Sequence, residues 1–195
     1  IFGFSQKLTG TGRRLNPNVS ISSLHIMKIV QCWDDGVVDD IRLIEILRRH
    51  GAKASFNLNP GLHRGNRYSG WKYKDVKEVW KLATQELTAV YDGFTAANHS
   101  LTHPWLNKIP AAEAERDIRE GKDALEQLFG YEVKGFAYPF GAHDETVEAL
   151  VRGTGHLYAR TTGVTDKVYP PANPMAFHPH CHYNDPLFWE KYAKA

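Results

Sequence analysis

The chain has 195 residues, a net charge of +2 and a hydrophobic share of 42 %, values typical of a soluble globular protein. No block of like charges occurs and no apolar run approaches the roughly 20 residues of a membrane span, so neither nucleic acid nor a membrane is expected as a partner. A chain of this length folds without structural staples, so a bound metal would be catalytic. Cys32 and Cys181 are predicted to be small buried residues or neighbours across a closed sheet. The chain opens on Ile1 without a signal-peptide pattern, and we expect a soluble protein whose compartment and oligomeric state the sequence does not indicate.

Strand-like and helix-like patterns alternate from residue 24 onwards, whereas residues 1–23 are predicted to form an irregular arm. The predicted strands are 24–33, 52–59, 94–98, 133–138, 156–162 and 175–181, and the predicted helices are 37–50, 75–91, 110–129, 145–152 and 186–195. This alternation implies parallel strands joined by right-handed helical crossovers. We therefore predict one α/β domain over residues 24–195, a sheet or (β/α) barrel with its site at the C-terminal ends of the strands.

Two adjacent carboxylates end the first predicted strand, where an apolar run leads into Trp33, Asp34, Asp35 and Gly36. Successive side chains of a strand point to opposite faces, so the two carboxylates are expected to lie in different environments and to take different roles. Asp and Gly are also common turn residues, and this dipeptide by itself would equally fit an acidic loop.

Two histidines, His99 and His103, follow the third predicted strand. In one turn of helix, side chains four residues apart lie on one face, within reach of a shared metal ion. Catalytic zinc typically takes three protein ligands and leaves one position for water, and two histidines with one carboxylate are such a set. Asp35 or Asp34 would supply the carboxylate. Because the chain has 10 histidines, coincidence is the alternative for an isolated pair.

A constrained turn, Tyr138 to Gly141, ends another apolar run. In chain order, residues 33–36, 99–103 and 138–141 resemble the first three motifs of the polysaccharide deacetylases of carbohydrate esterase family 4, and residues 52–56 on the second strand extend the likeness. Three short motifs in this order at strand ends form a specific combination. The resemblance spans most of residues 26–184 and implies a distorted (β/α) barrel that removes N- or O-acetyl groups from an acetylated carbohydrate.

The resemblance also implies roles for individual residues. Asp35, His99 and His103 would hold a divalent metal, with zinc as the first choice and cobalt or nickel as similar binders. Asp34 would be the general base that takes a proton from the attacking water. The backbone N–H of Phe140 would face the oxyanion of the tetrahedral intermediate.

The third motif departs from the family pattern at its first position. Family members often carry an arginine there that pairs with the base, and this chain has Ala137. Arg160, at the end of the next predicted strand, would supply the cation from elsewhere and favour the ionised form of Asp34. An ordinary surface position for Arg160 is the alternative.

The general acid is a second departure. The family uses a histidine after a late strand to protonate the leaving group, and here His178, His180 and His182 compete for that role. Alternation would place all three on one side of a regular strand, so periodicity does not choose between them. We favour His182 because it is nearest the C-terminal end of the predicted strand, and we expect a carboxylate such as Asp185 beside it.

Aromatic residues are expected to bind the substrate, because flat rings suit the apolar faces of sugars. The predicted contacts are Trp33, Trp105, Tyr138, Pro139 and Phe140, while Trp71 lies in a long loop over residues 62–73 that would overhang the site. Two other functions stay open: a hydrolase of the same fold that acts on a small non-sugar amide or imide, and a carbohydrate-binding protein without catalysis. A closed pocket would favour the small substrate, and a groove would favour the polymer.

Overall fold

The computed structural model describes residues 29–166 and 170–194 of the chain. Its strands are β1 (Cys32–Asp34), β2 (Ser55–Leu58), β3 (Tyr68–Tyr73), β4 (Lys77–Lys81), β5 (Thr95–Asn98), β6 (Gly135–Ala137) and β7 (Tyr158–Arg160), and its helices are α1 (Asp39–Arg49), α2 (Leu87–Val90), α3 (Ala111–Phe129), α4 (Glu145–Gly153) and α5 (Phe188–Lys194). The predicted arm over residues 1–23 and the first part of the predicted first strand, 24–28, lie outside the described residues.

Five short strands form the main sheet in the order β1-β2-β5-β6-β7, and every neighbouring pair is parallel. The order of the strands in space follows their order in the chain, so the sheet winds in one direction and curls as in a (β/α) barrel. This confirms the predicted fold class. Because the strands are parallel, their C-terminal ends meet at one edge, where Asp34, Asn98 and Arg160 are the last strand residues.

The helices that cover this sheet follow the predicted apolar pattern. α1 buries Ile44 and Leu47, and α3 buries Ala114, Ile118 and Leu125, all at helical spacing. The end predicted for the longest helix is confirmed, because Gly130 follows it with a left-handed φ of 72°. Among the described residues, the longest apolar stretch in any helix falls short of what a membrane span requires.

The helix predicted over residues 75–91 is wrong for most of its length. β3 and β4 form an antiparallel hairpin there, joined by a tight turn in which Lys74 and Asp75 have positive φ values of 50° and 56°. The valine and tryptophan residues of this segment favour strands, and their helical spacing is incidental. Within this range, residues 84–86 form a 3-10 turn and residues 87–90 form a short helix, α2. β3 also takes up the end of the loop predicted over residues 62–73.

The C-terminal segment fills the space between the first and last strands of the sheet. Phe177 forms an isolated parallel bridge with Arg160 of β7, and the Tyr183 ring lies 5.4 Å from the Trp33 ring of β1. The strand predicted over residues 175–181 is therefore wrong, since a single residue of it is paired. Pro179 has no N–H to donate, which limits further pairing.

The two cysteines are free thiols. Cys32 on β1 and Cys181 in the C-terminal segment are both half-buried and form no disulfide. Burial raises the pKa of the Cys32 thiol, although the nearby Arg160 guanidinium opposes the shift. Cys32 is therefore protonated at neutral pH; it and Cys181 are less buried than the predicted small core residues.

Candidate functional site

A carboxylate and two imidazoles converge at the C-terminal ends of β1 and β5. One donor atom each from Asp35, His99 and His103 lies within 4.8 Å of the others. The Nε2 atoms of His99 and His103 are 3.1 Å apart, and His103 Nε2 is 3.9 Å from Asp35 Oδ1. Two imidazole nitrogens bound tetrahedrally to one zinc-type ion at about 2.0–2.1 Å lie about 3.3 Å from each other, close to the separation seen here. The set therefore fits a divalent metal, with Asp35 and not Asp34 as its carboxylate.

A hydrogen bond fixes the tautomer of His99, and burial favours the neutral form of His103. His99 Nδ1 lies 2.7 Å from the carbonyl oxygen of Ala137 in β6, so Nδ1 carries the proton and Nε2 keeps its lone pair for the centre. Burial, and after it the neighbouring His99 ring, lowers the pKa of His103, although Asp35 opposes the shift. Neutral histidine is the form that metal binding requires.

The loop from His99 to His103 reaches this geometry without the helical turn that the four-residue spacing suggested. Ser100 and His103 have positive φ values of 63° and 60°, and the His103 N–H donates to Ser100 Oγ at 3.0 Å. Asp117 of α3 fixes the middle of the loop, because its Oδ1 accepts from the two backbone N–H groups that follow Ser100, at 2.9 and 3.2 Å. Such strained backbone persists only where its surroundings hold it.

Asp34 has a set of partners separate from that of Asp35. Arg160 Nη2, at the end of β7, donates to both carboxylate oxygens of Asp34 at 2.6 Å, and Asn57 Nδ2 donates to Oδ1 at 2.7 Å. Burial by itself would raise the pKa of Asp34, but the nearby Arg160 and His99 and these hydrogen bonds outweigh it and lower the pKa below its usual value. Asp34 is therefore ionised at neutral pH.

Two residues around Asp35 were not identified from the sequence. Asn59 Nδ2 donates to Asp35 Oδ1 at 3.2 Å, and the ammonium of Lys81 lies 3.5 Å from the same oxygen. Lys81 is 2 % exposed, and its Nζ donates to the backbone oxygen of Asp35 at 2.5 Å and to Asn59 Oδ1 at 2.6 Å. Asn59 follows Asn57 by two positions at the end of β2, a signal that strand periodicity offered. No sequence signal marked Lys81, because the apolar spacing of its segment predicted a helix.

Phe140 covers one side of the donor set. Its backbone has a positive φ of 58°, its ring centroid lies 4.5 Å from that of His103, and it stacks on Trp105 at 4.3 Å with an interplanar angle of 5°. Phe140 and Trp105 are 48 % and 41 % exposed, so both present aromatic surface to solvent. Tyr138 and Pro139 are buried instead, and the Tyr138 hydroxyl donates to a backbone carbonyl at 2.7 Å. That burial contradicts the expected substrate contacts through these two side chains.

His182, the favoured general acid, lies in the exposed segment between β7 and β1. Its Nε2 is 3.2 Å from the carbonyl oxygen of Thr162, two residues beyond the end of β7. The next residue, Tyr183, packs on half-buried Trp33 beside Asp34. This places His182 at the same edge of the sheet as the carboxylates.

The competing histidines and the expected carboxylate partner are arranged differently. The His178 ring contacts the Thr161 hydroxyl, and His178, His180 and His182 are all exposed. The Asp185 carboxylate accepts from the Leu187 N–H at 2.8 Å and from Lys191. These contacts replace the expected pairing of Asp185 with the His182 ring.

The structure is that of an α/β protein with a candidate hydrolytic metal centre. Two imidazoles and a carboxylate lie at the strand ends of its curled parallel sheet, and a second, ionised carboxylate lies beside them. The sequence model of the family described as polysaccharide deacetylase matches residues 24–159. This chain belongs to the polysaccharide deacetylase family. A search of curated proteins finds no match.

Several solved structures share the fold. IcaB from Ammonifex degensii is 19 % identical with a TM-score of 0.65, over 84 % of this chain and 70 % of that one. The deacetylase PplD from Streptococcus pyogenes, in complex with acetate, is 19 % identical with a TM-score of 0.63, over 82 % and 66 %. A polysaccharide deacetylase from Bacillus cereus is 21 % identical with a TM-score of 0.64, over 84 % and 49 %. The chain thus spans between about half and about two thirds of the length of the last two proteins.

Proposed function

We propose that this protein is a metal-dependent hydrolase that removes acetyl groups from a carbohydrate polymer or oligosaccharide. The observation that carries the proposal is the pair formed by Asp34 and Arg160 beside the donor set. It supplies an ionised carboxylate that is free of the metal ligands and able to accept a proton.

Asp35, His99 and His103 would hold the metal, with zinc as the first choice and cobalt or nickel as alternatives. Bound there, the metal would polarise the acetyl carbonyl and lower the pKa of water. Asn59 and Lys81 orient the Asp35 carboxylate through the contacts described above.

The residues of the chain then account for the movement of protons. Asp34 accepts a proton from the attacking water, whose oxygen forms a bond to the acetyl carbon. The Phe140 N–H stabilises the negative charge that develops on the carbonyl oxygen. The bond from the acetyl carbon to nitrogen or oxygen breaks, and His182 gives a proton to the departing amine or alcohol, leaving acetate.

Two further observations support a carbohydrate substrate. Phe140 and Trp105 offer stacked, exposed rings beside His103, an open surface that suits a sugar chain better than a small molecule. Among the structural neighbours, PplD is a deacetylase whose structure holds acetate, which is the product expected here.

The experiment is acetate release from acetylated chito-oligosaccharides, peptidoglycan and acetylated xylan, with zinc-loaded protein compared with chelated protein. We expect release that depends on metal, and its loss in Asp34→Asn. That variant removes the charge of the proposed base and leaves all three metal donors in place. Zinc binding, measured by calorimetry, is the control and should persist in Asp34→Asn but not in His99→Gln.

The alternatives predict other results. Hydrolysis of small amides or imides without acetate release from any carbohydrate would favour the small-substrate hydrolase. Carbohydrate binding without zinc binding or hydrolysis would favour the binding protein. Full activity in Asp34→Asn would contradict the assignment of the base.

A further inference from the structure

The hairpin β3–β4 is attached to the segment that directly follows Asp34 and Asp35. The Val38 N–H donates to the Trp80 carbonyl at 2.8 Å, the Leu82 N–H donates to the Gly36 carbonyl at 3.1 Å, and Val37 forms a β-bridge with Lys81. These backbone contacts fix the position of the hairpin relative to Asp34 and Asp35. It is therefore a built part of the site and not an independent surface loop.

The two faces of the hairpin have different surroundings. Trp71 pairs with Val79, and directly opposed residues of an antiparallel pair lie on one face. Alternation along β4 places Lys81 on the face of Val79 and places Trp80 on the opposite face. The Trp71 ring lies 5.3 Å from Lys81 Nζ, which agrees with that assignment.

The face that carries Trp71 is the one directed at the donor set. Lys81 Nζ contacts Asp35 Oδ1 at 3.5 Å, so two successive contacts lead from the Trp71 ring to the metal-site carboxylate. Trp71 is nevertheless 38 % exposed, and it leaves aromatic surface open to solvent at the edge of the site.

Resting on the proposed function, we infer that Trp71 forms a sugar-binding subsite next to the donor set. It stacks on the pyranose unit that neighbours the unit whose acetyl group reacts. The flat indole ring suits the apolar face of a pyranose, and Lys81 behind it keeps the ring in place through its cation–π contact.

With this subsite, exposed aromatic rings lie beside two different residues of the proposed metal site. Phe140 lies against His103, and Trp71 is linked through Lys81 to Asp35. A substrate that contacts both must extend beyond a single sugar. The inference therefore defines the substrate class as an oligosaccharide or polymer, with a monosaccharide bound more weakly.

The test compares Trp71→Ala with Trp80→Ala in the zinc-loaded protein. Trp80 is a matched control, because it lies on the same hairpin, is 44 % exposed and faces the other way. We expect Trp71→Ala to raise KM for acetylated chito-oligosaccharides about tenfold, as the loss of one aromatic stacking contact would. Trp80→Ala should leave KM unchanged, and Trp71→Phe should restore most of the loss.

Turnover of a small aryl acetate and binding of N-acetylglucosamine separate the subsite from the reaction. Both should be the same in Trp71→Ala and the wild type, because neither ligand reaches the hairpin. An equal loss with aryl acetate, or equal KM values for Trp71→Ala and Trp80→Ala, would overturn the inference while leaving the deacetylase proposal intact.

Binding of the oligosaccharides, followed by calorimetry, distinguishes the two proposals in the other direction. Oligosaccharide binding that Trp71→Ala weakens, without acetate release by the wild type, would support the subsite and refute the deacetylase. Sedimentation provides the last check: a wild-type dimer that Trp71→Ala converts to a monomer would overturn the inference, because the hairpin face would then be a subunit contact.

Discussion

Arg160 is predicted to set the pH range in which Asp34 can act as a base. Arg160→Met removes the charge and keeps a long side chain in a position that is 6 % exposed. Arg160 Nη2 lies 2.6 Å from both Asp34 oxygens. Unit charges about 4 Å apart at an effective dielectric constant of about 20 interact by about 4 kcal/mol, which corresponds to about 3 pKa units. An adjacent arginine typically shifts an aspartate by about 1–3 units.

The assay is kcat/KM for a small aryl acetate as a function of pH, with zinc-loaded protein. Asp34 must be ionised to accept a proton, so the acidic limb of the profile follows its pKa. Without Arg160, burial would act unopposed by the guanidinium and raise that pKa. The acidic limb of Arg160→Met should move to higher pH by about 1–3 units, with activity recovering above it.

Arg67→Met is the control. Arg67 also binds a carboxylate through two oxygens, with its Nε 3.0 and 2.9 Å from Glu86, but this pair is exposed and outside the donor set. Its pH profile should match the wild type. A wild-type profile for Arg160→Met, or a loss of rate that is the same at every pH, would refute the proposed control of Asp34 ionisation.

Three further predictions concern stability and are checked by urea unfolding. Burial raises the pKa of Asp40 to about 7, so its ionisation lowers the free energy of unfolding progressively as pH rises from about 4 to about 7. Asp40→Asn should therefore gain stability relative to the wild type across that window. An equal pH dependence of the two proteins would contradict this. Burial lowers the pKa of His156 to about 4, and because unfolded histidine takes up its proton near pH 6.5, the free energy of unfolding should fall by up to about 3 kcal/mol between about pH 6.5 and pH 4; His156→Gln should lack most of that decline. Gly121→Ala should destabilise by about 1–3 kcal/mol, since a Cβ there would lie 2.8 Å from the Leu101 backbone nitrogen. Gly153→Ala in α4, with no atom within 4 Å of its added Cβ, should stabilise by up to about 1 kcal/mol. Similar effects of the two glycine variants would refute the close packing of α3 on the loop from His99 to His103.

The elements that pack on the main sheet could be predicted because each carries its own periodic apolar face. The hairpin could not, because its register depends on contacts distant in the sequence. Val76, Val79 and Trp80 fit helical spacing, yet Val76 is 87 % exposed at the hairpin turn. The Trp80 carbonyl accepts from Val38 at the start of α1. Local periodicity does not indicate that contact, and the prediction used the helical period for a segment that forms strands.

The candidate site divides in the same way. The donors at the ends of β1 and β5 were recognisable, because parallel strands bring their C-terminal ends to one edge. The contact between Asp34 and Arg160 joins the first and last strands of the sheet and requires the curl that the predicted barrel implies. Lys81 depends on the hairpin and was missed with it. The sequence therefore indicated the residues at the strand ends and did not indicate the residue supplied by the β3–β4 hairpin.

Backbone conformation accounts for the part of the site geometry that the sequence pattern did not predict. Asp35, Ser100, His103 and Phe140 all have positive φ, which costs on the order of 1 kcal/mol or more at each non-glycine residue. No sequence pattern marks these positions, since the conformation is imposed by neighbours such as Asp117, whose carboxylate holds the loop before His103. The chain itself therefore holds the donor atoms at metal-binding distances. If Asp35, His99 and His103 bind a metal as proposed, we expect its affinity to depend also on residues such as Asp117 that hold this backbone and do not contact the metal.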